Sequence, residues 1–233
     1  MSMYTNGEYL AEHPNWHQED SAWKAEQIRR MIKKHGIAAQ TIAEIGCGAG
    51  EVLAELQRTS DCCQDANFLG FDISPQAIEI AKRKESERIR FSQQDILHDP
   101  RARFDLLLVI DVFEHVPDYL GFIEKCAEKA KYKIYHVPLD LHVSSLLRNR
   151  FIRTRQELGH LHYFTADSAL ATIRDTNQEV IDYAYTNAAF DLFFKHPSLR
   201  KAVANIPRWL VSRISESLAA RLFGGYSLLV LTE

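Results

Sequence analysis

Three glycines fall within five residues of Glu44-Ile45-Gly46-Cys47-Gly48-Ala49-Gly50, between a short apolar run and a helix-forming stretch. Glycines let a backbone turn tightly and approach a ligand, and a helix N-terminus offers free N–H groups. Turn chemistry alone does not call for three of them. A phosphate loop would end in Gly-Lys-Ser/Thr, and the dinucleotide fingerprint G-x-G-x-x-G is broken because position 51 is Glu51. Carboxylates near the turn disfavour a pyrophosphate and suit a zwitterionic or cationic ligand. Further acids, Asp72, Asp95 and Asp111, follow later apolar runs. Histidines add proton acceptors that work near neutral pH: His115, then His136, His142, His160 and His162. His160 and His162 have a spacing that metals use, but two ligands are not a site, so no metal is expected.

These residues need elements to hold them. Residues 20–35 read as an amphipathic helix: Ile28, Met31 and Ile32 share a face, Asp20 or Ser21 caps the start and Gly36 stops it. Strands are predicted over 41–45, 67–71 and 89–92, with helices over 51–58 and 75–84 between them; Ser74 is the expected N-cap of the second, ahead of Pro75. The unbroken apolar run FDLLLVI at 104–110 marks a central parallel strand buried on both faces. A helix over 118–130, a strand over 133–137, a helix over 165–175 capped by Thr165, and strands over 179–185 and 226–231 complete the order. Alternating strands and helices predict an α/β fold, a mostly parallel sheet with helices on both faces. Segments 139–163 and 187–224 fall outside that alternation, and long inserts on such scaffolds form lids or pockets.

A length of 233 residues fits one large domain, and 46% hydrophobic with 25% charged residues gives an ordinary core and a solvated surface. The net charge of −3 counts against a protein that lives on nucleic acid. No signal peptide is read at the N-terminus, and no run reaches the roughly 18 apolar residues of a membrane span. Cys47, Cys62, Cys63 and Cys126 show no CxxC spacing, so reduced thiols, a cytoplasmic location and no structural zinc are expected.

The segments AEIGCGAG, FLGFDIS, FSQQDIL and FDLLLVIDVFEHVPD occur in that order, each at a predicted strand end. Together they make the chain resemble the class I S-adenosylmethionine-dependent methyltransferases of the small-molecule type. The motifs span residues 41–140, and the general layout extends over the whole chain. The resemblance implies a Rossmann-like seven-stranded sheet with the last strand antiparallel and helical inserts over the cofactor and acceptor pocket. It implies S-adenosylmethionine as cofactor and S-adenosylhomocysteine as product. Gly46, Cys47 and Gly48 would pass under the methionine and ribose, and Glu44 would face the amino group, directly or through water. Asp72 would accept both ribose hydroxyls, as one carboxylate can. Ile73 would line a face of the adenine, Asp95 and Ile96 its edge, and Asp111 and Val112 the methionine end. All lie where open α/β sheets bind ligands, at the carboxyl ends of strands near the switch point. The chain then divides into a helical lid over 1–36, with Tyr4, Tyr9, Trp16 and Trp23, a cofactor-binding core over 37–138, and inserts over 139–163 and 187–224, all within one domain over 1–233.

In this family the sulfonium activates the methyl group, so the enzyme chiefly aligns the acceptor and excludes water. A hydroxyl acceptor also loses a proton, and His115, His160 and His162 are the candidate catalytic groups, with structural roles as the alternative for each. Amine-methylating members carry Asn/Asp-Pro-Pro-Tyr/Phe where this chain has Asp111-Val-Phe-Glu, which favours oxygen or carbon over a nucleobase amine. Arg148, Arg150, Arg153 and Arg155 read either as a reader of an anionic acceptor or as a solvated helix face. Over 198–223, Leu199, Val203, Ile206, Leu210, Ile214, Leu218 and Leu222 recur at helical spacing; Pro207 is expected to start a second helix that Gly224-Gly225 ends. Arg200, Lys201, Arg208, Arg213 and Arg221 accompany that stripe, which is a lid, a dimer surface or a peripheral membrane contact. The expected function is methyl transfer to a small or medium-sized acceptor. A cofactor-binding scaffold or partner without turnover, and methylation of a macromolecule, are the alternatives.

Overall fold

The computed structural model describes residues 20–59, 61, 63–193 and 199–233. The chain runs α1 (Ser21–Lys34), β1 (Thr41–Ile45), α2 (Glu51–Thr59), β2 (Asn67–Asp72), α3 (Pro75–Ala81), β3 (Ile89–Gln93), β4 (Phe104–Ile110), α4 (Tyr119–Ala127) and β5 (Ala130–Pro138). It continues through α5 (Val143–Leu147), α6 (Arg150–Leu158), α7 (Ala166–Asp175), β6 (Val180–Thr186), α8 (Ala188–Asp191), α9 (Leu199–Ser212), α10 (Glu216–Phe223) and β7 (Ser227–Thr232).

The strands form one seven-stranded sheet in the order β3-β2-β1-β4-β5-β7-β6. β1 to β5 pair in parallel, whereas β7 runs antiparallel between β5 and β6. The fold is therefore the Rossmann-like α/β arrangement that the sequence order implies. β4 sits at the centre because its apolar run can bury both faces. Leu106 and Leu108 face one core with Ile28, Ile32 and Leu53; Leu107 and Val109 face the other with Phe113, Ile123 and Tyr135. The chain leaves β1 towards one edge and returns to β4 on the other side, so the switch point lies between the ends of β1 and β4. Among the described residues no helix is long and apolar enough to cross a membrane.

Several boundaries differ from the sequence reading. β5 begins at Ala130, inside the predicted 118–130 helix, because Phe104 N–H bonds the Lys129 carbonyl at 2.8 Å and starts the pairing early. Asp20 occupies the N-cap position of α1 without a side-chain capping bond. The arginine-rich insert is two helices, split at Asn149, which adopts a left-handed φ of 49°. Pro207 lies within α9 and does not start a helix. The break comes after Ser212, where Ser215 caps α10 by accepting from Leu218 N–H at 3.2 Å, a role proline cannot fill. Within the 198–223 stripe the side chains of residues 199–204 lie outside the described residues, as do Tyr4, Tyr9 and Trp16.

Gly50 closes the glycine loop with φ +77°, and a Cβ there would meet the Phe91 ring at 2.4 Å. Gly50→Ala is expected to cost about 1–3 kcal/mol through overpacking and the unfavourable left-handed backbone. Urea unfolding followed by circular dichroism checks this, and an unchanged midpoint contradicts the packing described.

Candidate functional site

The carboxyl ends of β1, β2, β4 and β5 open into a cavity of about 640 Å3. Its floor is the glycine loop. Gly46 and Cys47 both donate N–H bonds to the Phe71 carbonyl, at 2.8 and 3.1 Å, which stitches the loop to β2. Gly46 has φ +70°, and a Cβ on it would lie 2.6 Å from Val112 Cγ2, so only glycine lets the loop pass the end of β4 this closely. Asp72 ends β2 with its carboxylate braced: Gly48 N–H donates to Oδ2 at 2.9 Å and Ser74 N–H to Oδ1 at 2.8 Å. Burial pushes its pKa up, and these backbone bonds oppose the shift. Ile73 is half exposed and lines the same wall as Asp95, Ile96 and Leu97. Asp95 caps the following turn by accepting from Leu97 N–H at 3.1 Å. Glu44, on β1, is 2% exposed, and its Oε2 has no hydrogen-bond partner. Burial raises its pKa well above the carboxylate range, offset only in part by Lys24.

Lys24, Asp111 and His136, all on the cavity lining, form one network. Asp111 Oδ2 meets Lys24 Nζ at 2.7 Å and Oδ1 meets His136 Nδ1 at 2.6 Å. His136 Nε2 is 3.0 Å from Thr186 Oγ1, so the network joins α1, the end of β4, β5 and β6. Burial alone would raise the Asp111 pKa, but His136 and Lys24 hold it far below the carboxylate range. Asp111 also carries an unusual backbone for a non-glycine residue, φ 53°. Trp23 stands over this network: its ring makes an edge contact with His136 at 6.2 Å and its Nε1 donates to Asp191 Oδ2 at 2.8 Å.

At the far end Phe113–His115 forms a short turn of 3-10 helix. Glu114 is fully buried, and neither carboxylate oxygen has a hydrogen-bond partner. Its backbone carbonyl accepts from Leu161 N–H at 2.8 Å and His162 N–H at 3.1 Å, which clips the 159–164 segment against the turn. That clip brings the His160 ring across the His115 ring, with centroids 4.7 Å apart and planes at 83°. His160 Nδ1 bonds Asp140 Oδ2 at 2.6 Å. Burial, then the neighbouring His160, lowers the His115 pKa to about 4, while a bond to the Gly159 backbone opposes the shift.

Comparison with known proteins identifies the fold's lineage. A family model described as a methyltransferase domain matches residues 16–183, well over half of the chain. The chain belongs to the class I S-adenosylmethionine-dependent methyltransferases. A ubiquinone biosynthesis O-methyltransferase of Chelativorans sp. (strain BNC1) is 36% identical over 95 residues, 39% of this chain and 36% of that protein. The chain thus matches little more than a third of that curated relative's length. Among solved structures, the S-adenosylhomocysteine-bound magnesium protoporphyrin IX methyltransferase of Synechocystis PCC 6803 aligns with a TM-score of 0.59 at 15% identity, covering 91% of this chain and 82% of that one. An O-methyltransferase family protein of Burkholderia thailandensis gives 0.60 at 12% identity, over 100% and 64%. At such identities these structures show the fold alone.

The fold brings most of the sequence-predicted residues to one cavity. Glu44, Gly46, Cys47, Gly48, Asp72, Ile73, Asp95, Ile96, Asp111, Val112, His115 and His160 all line it. His162 does not. Its Nε2 lies 3.0 Å from the Val116 carbonyl and its ring packs on Tyr119, so it fastens the loop. His142 caps α5 through Nδ1 and is likewise structural. Asp111 differs from expectation in that both its oxygens are already engaged. Arg148, Arg150, Arg153 and Arg155 are exposed, and none is among the described residues that line the cavity. Lys24 and Glu114 were missed. Lys24 extends the buried row of Ile28 and Ile32 at a four-residue interval, and a lysine interrupting such a row was the available signal.

Lys24→Met removes one counter-charge of Asp111, and with a quarter or less of either side chain exposed this is expected to cost about 1–3 kcal/mol. The double variant Lys24→Met/Asp111→Asn is expected to lose less than the sum of the single changes. Strict additivity in chemical unfolding contradicts a coupled pair.

Proposed function

We propose that this chain transfers the methyl group of S-adenosylmethionine to a hydroxyl oxygen of a small acceptor. The observation that carries the reading is the cavity itself, which is lined by a buried, unpartnered Glu44 oxygen, by the glycine loop and by the His115–His160 pair. A buried acceptor atom without a partner is costly and fits an ammonium group, so these residues suit the cofactor. Glu44 binds the amino group, the loop Gly46–Gly48 passes beneath the methionine and ribose, and the braced Asp72 accepts the ribose hydroxyls. Ile73 packs on the adenine, Asp95 and Ile96 follow its edge with Leu97, and Val112 borders the methionine. Asp111 acts as a positioning residue, holding Lys24 and His136 at the wall. When bound, the cofactor supplies an electrophilic methyl group. The protein's part is to orient the acceptor, exclude water beneath Trp23 and accept or guide the hydroxyl proton at the His115–His160 end.

The names of the curated relatives support an oxygen acceptor. Asp111-Val-Phe-Glu in place of an amine-methylating motif points the same way. Among the described residues Lys24 is the only lysine or arginine lining the cavity, and Asp111 already neutralises it, which favours a neutral, largely apolar acceptor. The single-domain division, with the lid over 1–36, core over 37–138 and inserts over 139–163 and 187–224, belongs to the same proposal. The inserts also support a peripheral contact. Leu146, Leu147, Ile214 and Leu218 are exposed beside Arg148, Arg150, Arg213 and Arg221, and α10 packs on α5. An apolar patch with a basic rim fits an anionic lipid surface.

Asp72→Ala is expected to weaken S-adenosylmethionine binding at least tenfold with an unchanged circular dichroism spectrum; equal affinity by calorimetry removes the ribose assignment. Incubation with methyl-labelled cofactor and a panel of phenols and catechols is expected to give a labelled methyl ether by mass spectrometry. Label found only on carbon or nitrogen refutes the oxygen reading. Leu147→Glu with Ile214→Glu is expected to abolish sedimentation with phosphatidylglycerol vesicles, and binding retained by that variant rules out the patch.

A further inference from the structure

We propose that Glu114, His115 and His160 form a divalent-cation site at the acceptor end of the cavity. One ligand atom from each lies within 4.8 Å of the other two. All three border the same cavity. The expectation of no metal rested on the pair His160 and His162, but the fold separates those two and replaces His162 with Glu114 and His115.

The Glu114 side chain is the deciding observation. It is fully buried, yet both oxygens lack a hydrogen-bond partner. A carboxyl group kept for structure would be hydrogen-bonded, because a buried polar group without a partner is costly in either protonation state. Its backbone already performs the structural task by accepting from Leu161 and His162. The side chain is left pointing at two imidazoles, one of them only 3.8 Å away through His115 Nε2.

The surroundings of the histidines fit ligation. His160 gives Nδ1 to Asp140, which leaves Nε2 towards the cluster, the carboxylate–histidine arrangement that orients metal ligands. His115 is fixed by its bond to the Gly159 backbone. Ligands around a first-row cation stand about 3–3.5 Å apart, so side-chain shifts of the order of 1 Å close the set. One carboxylate and two imidazoles with open positions match zinc(II) or a neighbouring transition metal rather than magnesium or calcium, which prefer oxygen ligands.

Its use rests on the proposed oxygen acceptor. An acceptor hydroxyl bound at an open position is acidified as metal-bound water is. The O–H bond breaks, its electron pair stays on oxygen and the proton leaves to water. That oxygen then bonds the methyl carbon as the carbon–sulfur bond breaks, with the pair going to sulfur, giving the methyl ether and S-adenosylhomocysteine.

The test uses the full chain after chelator treatment, titrated with cobalt(II) and followed by its visible absorption, then displaced by zinc(II). One equivalent is expected to bind. Glu114→Gln and His160→Ala are each expected to weaken cobalt affinity at least tenfold, and Asp140→Asn by about 10–100-fold. Calorimetry with S-adenosylmethionine, whose proposed contacts are Glu44, Gly46–Gly48 and Asp72, reports that each variant is folded. Absence of cobalt and zinc binding by the folded wild type overturns the site. So does undiminished binding in a folded Glu114→Gln variant, which would mean that Glu114 is simply a protonated core residue. Cation binding with the expected variant losses but no hydroxyl methylation upholds the site and refutes the acceptor reading. Hydroxyl methylation without any cation binding does the reverse.

Discussion

The carboxylate of Asp111 is shared between Lys24 and His136, and the geometry of the cavity follows from that shared charge. A buried carboxylate is tolerated only when it is compensated, and here the compensation comes from α1 on one side and β5 on the other. The first described helix is thereby tied to the end of the central strand. The same tie sets Trp23 over the cavity and brings it to Asp191 on the second insert. Remove the charge and the roof loses the link that aligns it with the floor.

Below that roof, two kinds of buried acid play different parts. Asp72 and Asp111 each have both carboxylate oxygens engaged by protein donors, so they act as fixed posts, and the lone pairs left on Asp72 stay open to a ligand. Glu44 and Glu114 retain oxygens that the protein leaves unanswered. Posts define shape, while unanswered oxygens mark where something else is to be bound. Both unanswered acids border the same cavity.

What the sequence revealed follows the range of the forces involved. The central strand, the glycine loop and the acids at strand ends are local patterns: burial on two faces needs an unbroken apolar run, and a tight turn needs glycine. Residues 41–110 were therefore readable almost residue by residue. The Lys24–Asp111–His136 triad was not, since its members come from three elements and only the sheet order brings them together. The His160–His162 pair misled for a related reason. Adjacent spacing says nothing about which way a looped segment turns, and the clip from the Glu114 carbonyl sends one ring into the cavity and the other towards Val116. Pro207 misled because a proline signals a helix start only when nothing else supplies the cap, and Ser215 does.

The left-handed backbone at Asp111 has a consequence for how this chain can drift. A φ of 53° is comfortable for glycine, asparagine and aspartate and for few other residues. Of those three, only aspartate carries the charge that Lys24 and His136 are placed to meet. Steric and electrostatic filters act at one codon, and their overlap leaves a vocabulary of a single letter. The exposed arginines of α6 face neither filter, so variation among descendants of this chain should accumulate on the insert helices while position 111 stands still.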